Sequence, residues 1–284
     1  MLYQRKNLKA LILFLNSHPD LFGKHISRNV ANLVNLVIFI YILLPILASF
    51  LSSYLSGEDD LVTLWALRYQ IKNAQYRKAV MCFGEYVYYT VITQYPSLLI
   101  LSICVLIYHY GLVLLQYNAD LKTMVMTVTS TDYSRIINLY NIIEEKIRLL
   151  KDTLSIPLFV ILMSCFFNLY TSLSLIRLAK NPVSSQIELA ITCLTGVVMI
   201  FSLTLCSSRI PEYMQEIKWT FGSWIDRHQF DHLKGVKEMY IFHRMEKRDI
   251  IYLSAGDAVY LKKSFLLSAF GTVFTYGLII ANFK

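Results

Sequence analysis

Polar and apolar positions along this chain are gathered into blocks. Five stretches contain no Asp, Glu, Lys or Arg: Asn29–Gly57, Tyr86–Ala119, Thr153–Ile176, Leu189–Ser208 and Ser264–Phe283. Each reaches the roughly 20 residues that a helix needs to cross about 30 Å of hydrocarbon. Strands of a membrane barrel are short alternating segments, so unbroken apolar runs of this length exclude a barrel. Core helices of a soluble protein seldom run more than a few turns without a polar face, and five in one chain would leave little to cover them. The pattern predicts an all-α, polytopic transmembrane protein, a single domain over 1–284 with spans at 29–57, 86–116, 153–177, 188–208 and 264–283.

Between the runs the period changes. From Asp132 to Asp152, the apolar residues Ile136, Leu139, Tyr140, Ile143, Ile147 and Leu150 recur at steps of three and four, which predicts an amphipathic helix. It leads directly into the third span, where Pro157 removes one backbone donor and is expected to kink the rod without ending it. A second stripe, Ile210, Met214, Ile217, Phe221 and Trp224, begins beside Pro211, a residue suited to the first turn of a helix. A third helical stretch is expected over Asp231–Glu246. Two of these stripes extend transmembrane rods into one compartment. Residues 120–152 and 209–263 are therefore expected to pack together as helices of a cytoplasmic anchor bundle, where subunits would meet, rather than to lie on the membrane surface.

Composition and charge sharpen the picture. Of 284 residues, 56% are hydrophobic and 16% charged, where a soluble domain carries about a quarter charged. Residues 1–28 are no secretory signal, because the apolar patch Leu11–Leu15 is too brief and no small-residue cleavage site follows. Placing the N-terminus in the cytoplasm puts twenty of the 27 Lys and Arg on the inner side, in 1–28, 120–152 and 209–263, and seven on the outer. The net charge of +8 then reflects a basic face meeting anionic lipid, and nothing in the chain resembles a nucleic-acid-reading motif. The five cysteines, Cys82, Cys104, Cys165, Cys193 and Cys206, are scattered and make neither a disulfide framework nor a zinc pattern.

Chemistry at depth in a membrane requires ionisable residues, and the spans offer only His109 and, at an outer boundary, Glu188. There is no phosphate loop, carboxylate pair, HExxH or nucleophile elbow, so no enzyme, catalytic residue or cofactor is expected. Asp226, His228, Asp231 and His232 have helical spacing suited to a metal, but Arg227 and Lys234 among them make an ordinary solvated turn the better reading. What the outer halves of the spans do carry is aromatic and neutral polar: Phe50 and Tyr54; Tyr88, Tyr89, Gln94 and Tyr95; Phe166, Phe167, Asn168, Tyr170 and Thr171; Thr192 and Thr195. Such residues line pockets for small neutral ligands, and they also anchor membrane proteins at the headgroup level.

The segment Leu253–Phe283 reads LSAGDAVYLKKSFLLSAFGTVFTYGLIIANF. Its end resembles the TYhhhhhQF signature that closes arthropod gustatory receptors: Thr275, Tyr276, the five mostly apolar residues Gly277–Ala281, then Asn282 and Phe283. Asn282 departs from the usual glutamine, keeping the amide but shortening its reach. The order of a long cytoplasmic helix feeding a span, a short outer loop, a span, a long basic loop and a terminal span is similar to the later part of such receptors. The resemblance implies a seven-span plasma-membrane chemoreceptor with cytoplasmic N-terminus and extracellular C-terminus. The five spans here match its last five, so the chain is expected to be an N-terminally incomplete member in which Met1–Arg28 matches the loop before the third span.

On the same resemblance the protein is a gustatory receptor, a ligand-gated non-selective cation channel opened by a small extracellular tastant and assembled as a homo- or hetero-tetramer with other receptor subunits. Ile279, Asn282 and Phe283 would line or close the pore, and Tyr276 would pack the final helix against its neighbours. The tastant pocket would draw on Tyr54, Tyr89, Gln94, Tyr95, Phe167, Asn168, Thr171 and Thr192. Two other readings stand beside this one: a non-conducting accessory receptor subunit, and a small-molecule transporter, for which Pro45 and Pro96 supply helix breaks but no matching halves exist.

Overall fold

Long apolar runs flanked by helix-compatible polar segments fold as long helices, because no backbone polar group can be left unpaired in hydrocarbon. The computed structural model describes residues 2–17, 24–55, 65, 71, 73–124, 130–176, 183–230 and 236–282. In chain order the elements are α1 (Leu2–Ser17), α2 (Lys24–Leu55), α3 (Ala74–Tyr89), a π-helical turn (Thr90–Gln94), α4 (Tyr95–Met124), α5 (Ser130–Ile176), α6 (Val183–Phe230), α7 (Val236–Glu246), β1 (Ser254–Ala255), β2 (Val259–Tyr260) and α8 (Lys263–Asn282). Stretches long and apolar enough to cross a membrane occur at Val30–Tyr54, Ala74–Thr123, Ser134–Leu175 and Gln186–Asp226, and α8 adds the shorter apolar helix Lys263–Ile279. The protein is an all-α, multi-pass membrane protein.

The sequence predicts helix ends at some prolines where the rods run on. Pro157 lies inside α5 and leaves it continuous, as expected. Pro211 was expected to open a helix; instead it lies inside the 48-residue α6. A proline within a helix removes one backbone bond, and tight packing on both sides of it holds the rod together: Ile210 and Met214 are buried to 1% exposure or less. The π turn directly precedes Tyr95 and Pro96, where widening the helix relieves the clash of the proline ring with the preceding turn. The third expected helix is α7; its first expected residues, Asp231–Gly235, lie outside the described residues.

The chain forms two compact units. The first comprises Met1–Arg28, Cys104–Val160 and Leu203–Phe265. Its core is the two amphipathic stripes read from the sequence: Ile136, Tyr140, Ile143, Ile147 and Leu150 of α5, and Ile210, Met214, Ile217, Phe221 and Trp224 of α6, all buried. They meet through rings, Tyr117 on Tyr140 at 5.6 Å, Tyr140 on Phe221 at 6.4 Å, and Phe242 of α7 stacking on Phe221 at 6.0 Å and meeting Trp224 edge-on at 5.4 Å. Rings at this spacing add about 0.5–1.5 kcal/mol per pair to area burial. Helix α1 joins through Leu11 and Phe14, with the Tyr110 hydroxyl donating to the Leu11 carbonyl at 3.2 Å.

Past the helical stretches expected within 209–263, residues 249–262 form an extended segment with a small hairpin, β1 pairing antiparallel with β2. Gly256 (φ 60°) and Asp257 (φ 53°) both take left-handed backbone at its tip, where glycine is favoured. The tip docks on α5: Gly256 N–H donates to the Ser155 carbonyl at 2.9 Å, and a Cβ at Gly256 would sit 3.0 Å from the Phe159 ring. Arg248 reaches back to the buried Glu144, which also accepts from Arg148 at 2.7 Å, and the Arg248 guanidinium lies 5.5 Å over the Tyr140 ring. Lys263 pairs with Glu212 at 2.7 Å, fixing the start of α8.

The second unit comprises Asn29–Ile103, Ile161–Ser202 and Leu266–Lys284. Gly196 of α6 admits Leu169 of α5 closely, since an added Cβ would lie 3.2 Å from that side chain, and the Cys165 thiol rests on the Met199 sulfur at 3.7 Å.

Candidate ligand site and terminal helix

The second unit sets several polar groups beside its apolar runs. Glu85 is 4% exposed, and the Trp65 indole N–H donates to it at 3.2 Å. Trp65 lies directly over Gly84, so close that any side chain there would overlap its ring. Tyr89, 2% exposed, meets Tyr88 edge-on at 5.6 Å. A carboxylate, its indole donor and two tyrosines therefore come from α3 and the stretch before it.

Beside it is a cleft of about 490 Å³ lined by Ile46, Ser49, Phe50 and Ser53 of α2 and by Lys78, Ala79, Cys82, Phe83 and Tyr86 of α3. The Ser49 hydroxyl and Cys82 thiol touch at 3.9 Å on its wall. Its volume falls in the range of about 300–1,000 Å³ that small-molecule sites occupy. Its lining is apolar and aromatic, with the hydroxyls of Ser49, Ser53 and Tyr86, the Cys82 thiol and the Lys78 ammonium.

Of the eight residues expected to line a pocket, Tyr89 is in the buried cluster. Gln94 is in the π turn and half-buried, as are Asn168 of α5 and Thr192 of α6. Tyr54, Tyr95 and Phe167 are 85%, 69% and 63% exposed, and Thr171 is exposed too. Sequence reasoning missed Glu85 and Trp65. A carboxylate just before a span reads as the last charge of a loop; the signal available was its place in the run Gly-Glu-Tyr-Val-Tyr-Tyr, one turn from two tyrosines.

In α8, Thr275 bonds back to the Gly271 carbonyl and Thr272 to that of Ser268, each at 2.8 Å. Tyr276 is 53% exposed and Ile279 43%, and Asn282 is exposed. Phe283 lies outside the described residues. At helical spacing Ser264, Ser268, Thr272, Thr275, Ile279 and Asn282 make one exposed row, and Leu267, Phe274 and Leu278, 80%, 68% and 48% exposed, make a second beside it. Among the described residues no group of three His, Cys, Asp or Glu could hold a metal; Asp231 and His232 lie outside them.

No family model matches this sequence, and no curated protein matches it. Solved structures do. The insect olfactory receptor OR5 from Machilis hrabei, in complex with eugenol, superposes with a TM-score of 0.67 at 10% identity, covering 92% of this chain and 70% of that one. A second structure of OR5 gives 0.64 at 14% identity over the same shares. These neighbours are receptors rather than enzymes. At such identity the likeness concerns the fold, and the fold of this chain is that of the insect olfactory receptor.

Proposed function

We propose that this chain is a subunit of a chemoreceptor channel of the gustatory type. A small extracellular tastant opens a non-selective cation pore built where four copies, or copies and related subunits, bring their α8 helices together in the plasma membrane. The observation that carries this reading is the terminal helix. Its hydroxyl- and amide-bearing row is exposed, and lipid is a poor solvent for it, whereas a water-filled axis is a suitable one. The adjoining row Leu267, Phe274 and Leu278 offers the apolar surface by which each copy would pack on the next. The TYhhhhhQF-like ending and the olfactory-receptor fold support the same reading. By it, Ile279, Asn282 and Phe283 gate the outer end by excluding water, without a titratable group, and Thr275 and Tyr276 place the helix.

The ligand pocket in this reading is in the second unit. The cleft between α2 and α3 supplies the concave volume, and Tyr54, Tyr89, Gln94, Tyr95, Phe167, Asn168, Thr171 and Thr192 supply its aromatic and amide surroundings. That OR5 was solved with eugenol supports a small, mostly apolar aromatic molecule as the ligand class. The N-terminus is cytoplasmic, as the charge balance requires.

The test is current recorded from oocytes expressing the chain alone and with a second receptor subunit, under a panel of tastants. Ligand-evoked cation current from the chain alone establishes the channel, and Phe283→Ala is expected to leak without ligand. Current only on co-expression assigns the chain to a mixed tetramer. Silence from both, with surface delivery confirmed, or a Phe283→Ala variant at the surface that is neither leaky nor responsive, overturns the reading.

A further inference from the structure

Where α5 passes from its charged stretch into its uncharged run, the first unit holds a polar cavity that the proposed function does not use. It measures about 220 Å³ and lies between Arg148, Lys151 and Asp152 of α5 and residues 249–252, the segment that follows α7. Asp152 is the last charged residue of α5. Along the same face, at steps of four and three, come Ile156 and Phe159, 62% and 40% exposed, with Val160 beside them at 59%. One helical turn, about 5.4 Å, therefore separates the cavity's charges from exposed apolar surface. A membrane presents that same succession, a headgroup layer followed by hydrocarbon.

The charges of the cavity select among headgroups. Two cations, Arg148 and Lys151, and two carboxylates, Asp152 and Asp249, line it, so its walls carry no net charge and hold no general attraction for an anionic surface. The cations have donors to spare. Arg148 bonds Glu144 Oε1 through Nε at 3.2 Å and a terminal nitrogen at 2.7 Å, which uses two of the five N–H donors of a guanidinium. Lys151 pairs with Asp257 at 3.8 Å, a carboxylate 75% exposed and so a weak partner. Asp152 and Asp249 form no ion pair among the described residues. Under-used cations beside unpaired carboxylates match a zwitterion, with a phosphate on the first pair and an ammonium on the second. A quaternary ammonium has no N–H for the aspartates and prefers an aromatic face. The ring that lines this cavity, Tyr252, already holds Lys262, whose Nζ is 4.1 Å from its centroid. The ammonium that fits is therefore a primary one.

We propose that this cavity binds the headgroup of phosphatidylethanolamine, a phospholipid that joins a phosphate to a primary ammonium, with its acyl chains along Ile156, Phe159 and Val160. The phosphate accepts from Arg148 and Lys151, and the ammonium donates to Asp152 and Asp249. A serine headgroup would bring a further carboxylate against the aspartates. The apolar row continuous with the cavity favours the lipid over free phosphoethanolamine. Bound there, the lipid bridges α5 to the segment that leads into α8, so that membrane composition acts on the terminal helix.

The experiment delipidates the purified full chain in detergent, adds phosphatidylethanolamine, phosphatidylcholine and phosphatidylserine of matched acyl chains in equal amounts, and measures bound lipid by native mass spectrometry. It needs no channel current, so its outcome is separate from that of the proposed function. Phosphatidylethanolamine should be retained about 5-fold over each of the others, the worth of one partly exposed ion pair. Replacing both carboxylates, Asp152→Asn with Asp249→Asn, should bring the three lipids to parity; both residues are exposed, so the amides fit the fold. In the wild type, a photoactivatable phosphatidylethanolamine should cross-link within 148–160 or 249–252, and excess free phosphoethanolamine should leave the lipid bound. Retention of either other lipid comparable to or above that of phosphatidylethanolamine overturns the proposal. So does a preference that survives in the folded double variant, cross-linking confined to other residues, or displacement by phosphoethanolamine, which would assign the cavity to a soluble zwitterion.

Discussion

Removing Glu144 should loosen the segment that leads into the terminal helix, by an amount that follows from its partners. Its side chain is 10% exposed and accepts from Arg148, itself 58% exposed, and from Arg248, 24% exposed. The exposed Arg148 pair is worth about 0.5 kcal/mol. Stranding one partner of a fully buried pair costs roughly 3–5 kcal/mol, and the partial exposure of Arg248 reduces that to about 2 kcal/mol. Because Arg248 also sits over Tyr140, a double-mutant cycle of Glu144→Ala and Arg248→Ala isolates the pair, with an expected coupling of about 1.5 kcal/mol. The loss should be local. Arg248 ties α5 to 249–262 alongside the Gly256–Ser155 bond at the hairpin tip, so hydrogen exchange at the Leu261 N–H, which donates to the Leu253 carbonyl at 3.0 Å, should speed up about 30-fold for a 2 kcal/mol loss, while mid-α5 amides hold. A coupling below about 0.5 kcal/mol, or exchange that quickens in α5 and not in the hairpin, would refute the view that this ion pair holds the segment.

Two further substitutions test other parts of the structure. Phe221→Ala removes a fully buried ring in contact with Tyr140, Trp224 and Phe242, and should destabilise the detergent-solubilised protein by about 3–5 kcal/mol in thermal unfolding; a loss under about 1 kcal/mol would mean the cluster is not a packed core. Gly84→Ala should push Trp65 off its seat and take a donor from the buried Glu85, costing about 1–3 kcal/mol and shifting the indole emission to the red; unchanged emission would place Trp65 elsewhere.

The sequence was most legible where one physical rule decided the outcome. Uncharged length marked the rods, and the three- and four-residue spacing of Ile136 to Leu150 and of Ile210 to Trp224 identified the faces that are buried, because burial of one face is what writes that period. Pro211 was misread because a proline that opens a helix and one carried inside a long rod look alike locally, and packing around it decides which it is. The π turn left no periodic trace. The hairpin was hidden in a segment assigned to helices, although Gly256-Asp257 between short apolar runs is a turn signal. The aromatic set was harder still. Whether Tyr89 is buried and Tyr54 exposed depends on which helix covers each, and composition carries no such information. Glu85 shows the converse, a charge whose value lies in a partner, Trp65, that is 20 residues away in sequence.

Two contacts tie α4 to α6 at one offset: Gly111 faces the Tyr213 ring, and the Asn118 amide accepts from the Thr220 hydroxyl at 2.9 Å. A straight α-helix drifts by about 20° per heptad against a seven-residue repeat, so keeping both contacts over the heptad from Gly111 to Asn118 requires about 20° of compensating twist. The pair must wrap gently about each other in the left-handed sense. Axial sliding of one helix would then unmatch a glycine notch and an amide contact together, so the two helices are geared to roll as one body rather than to shear.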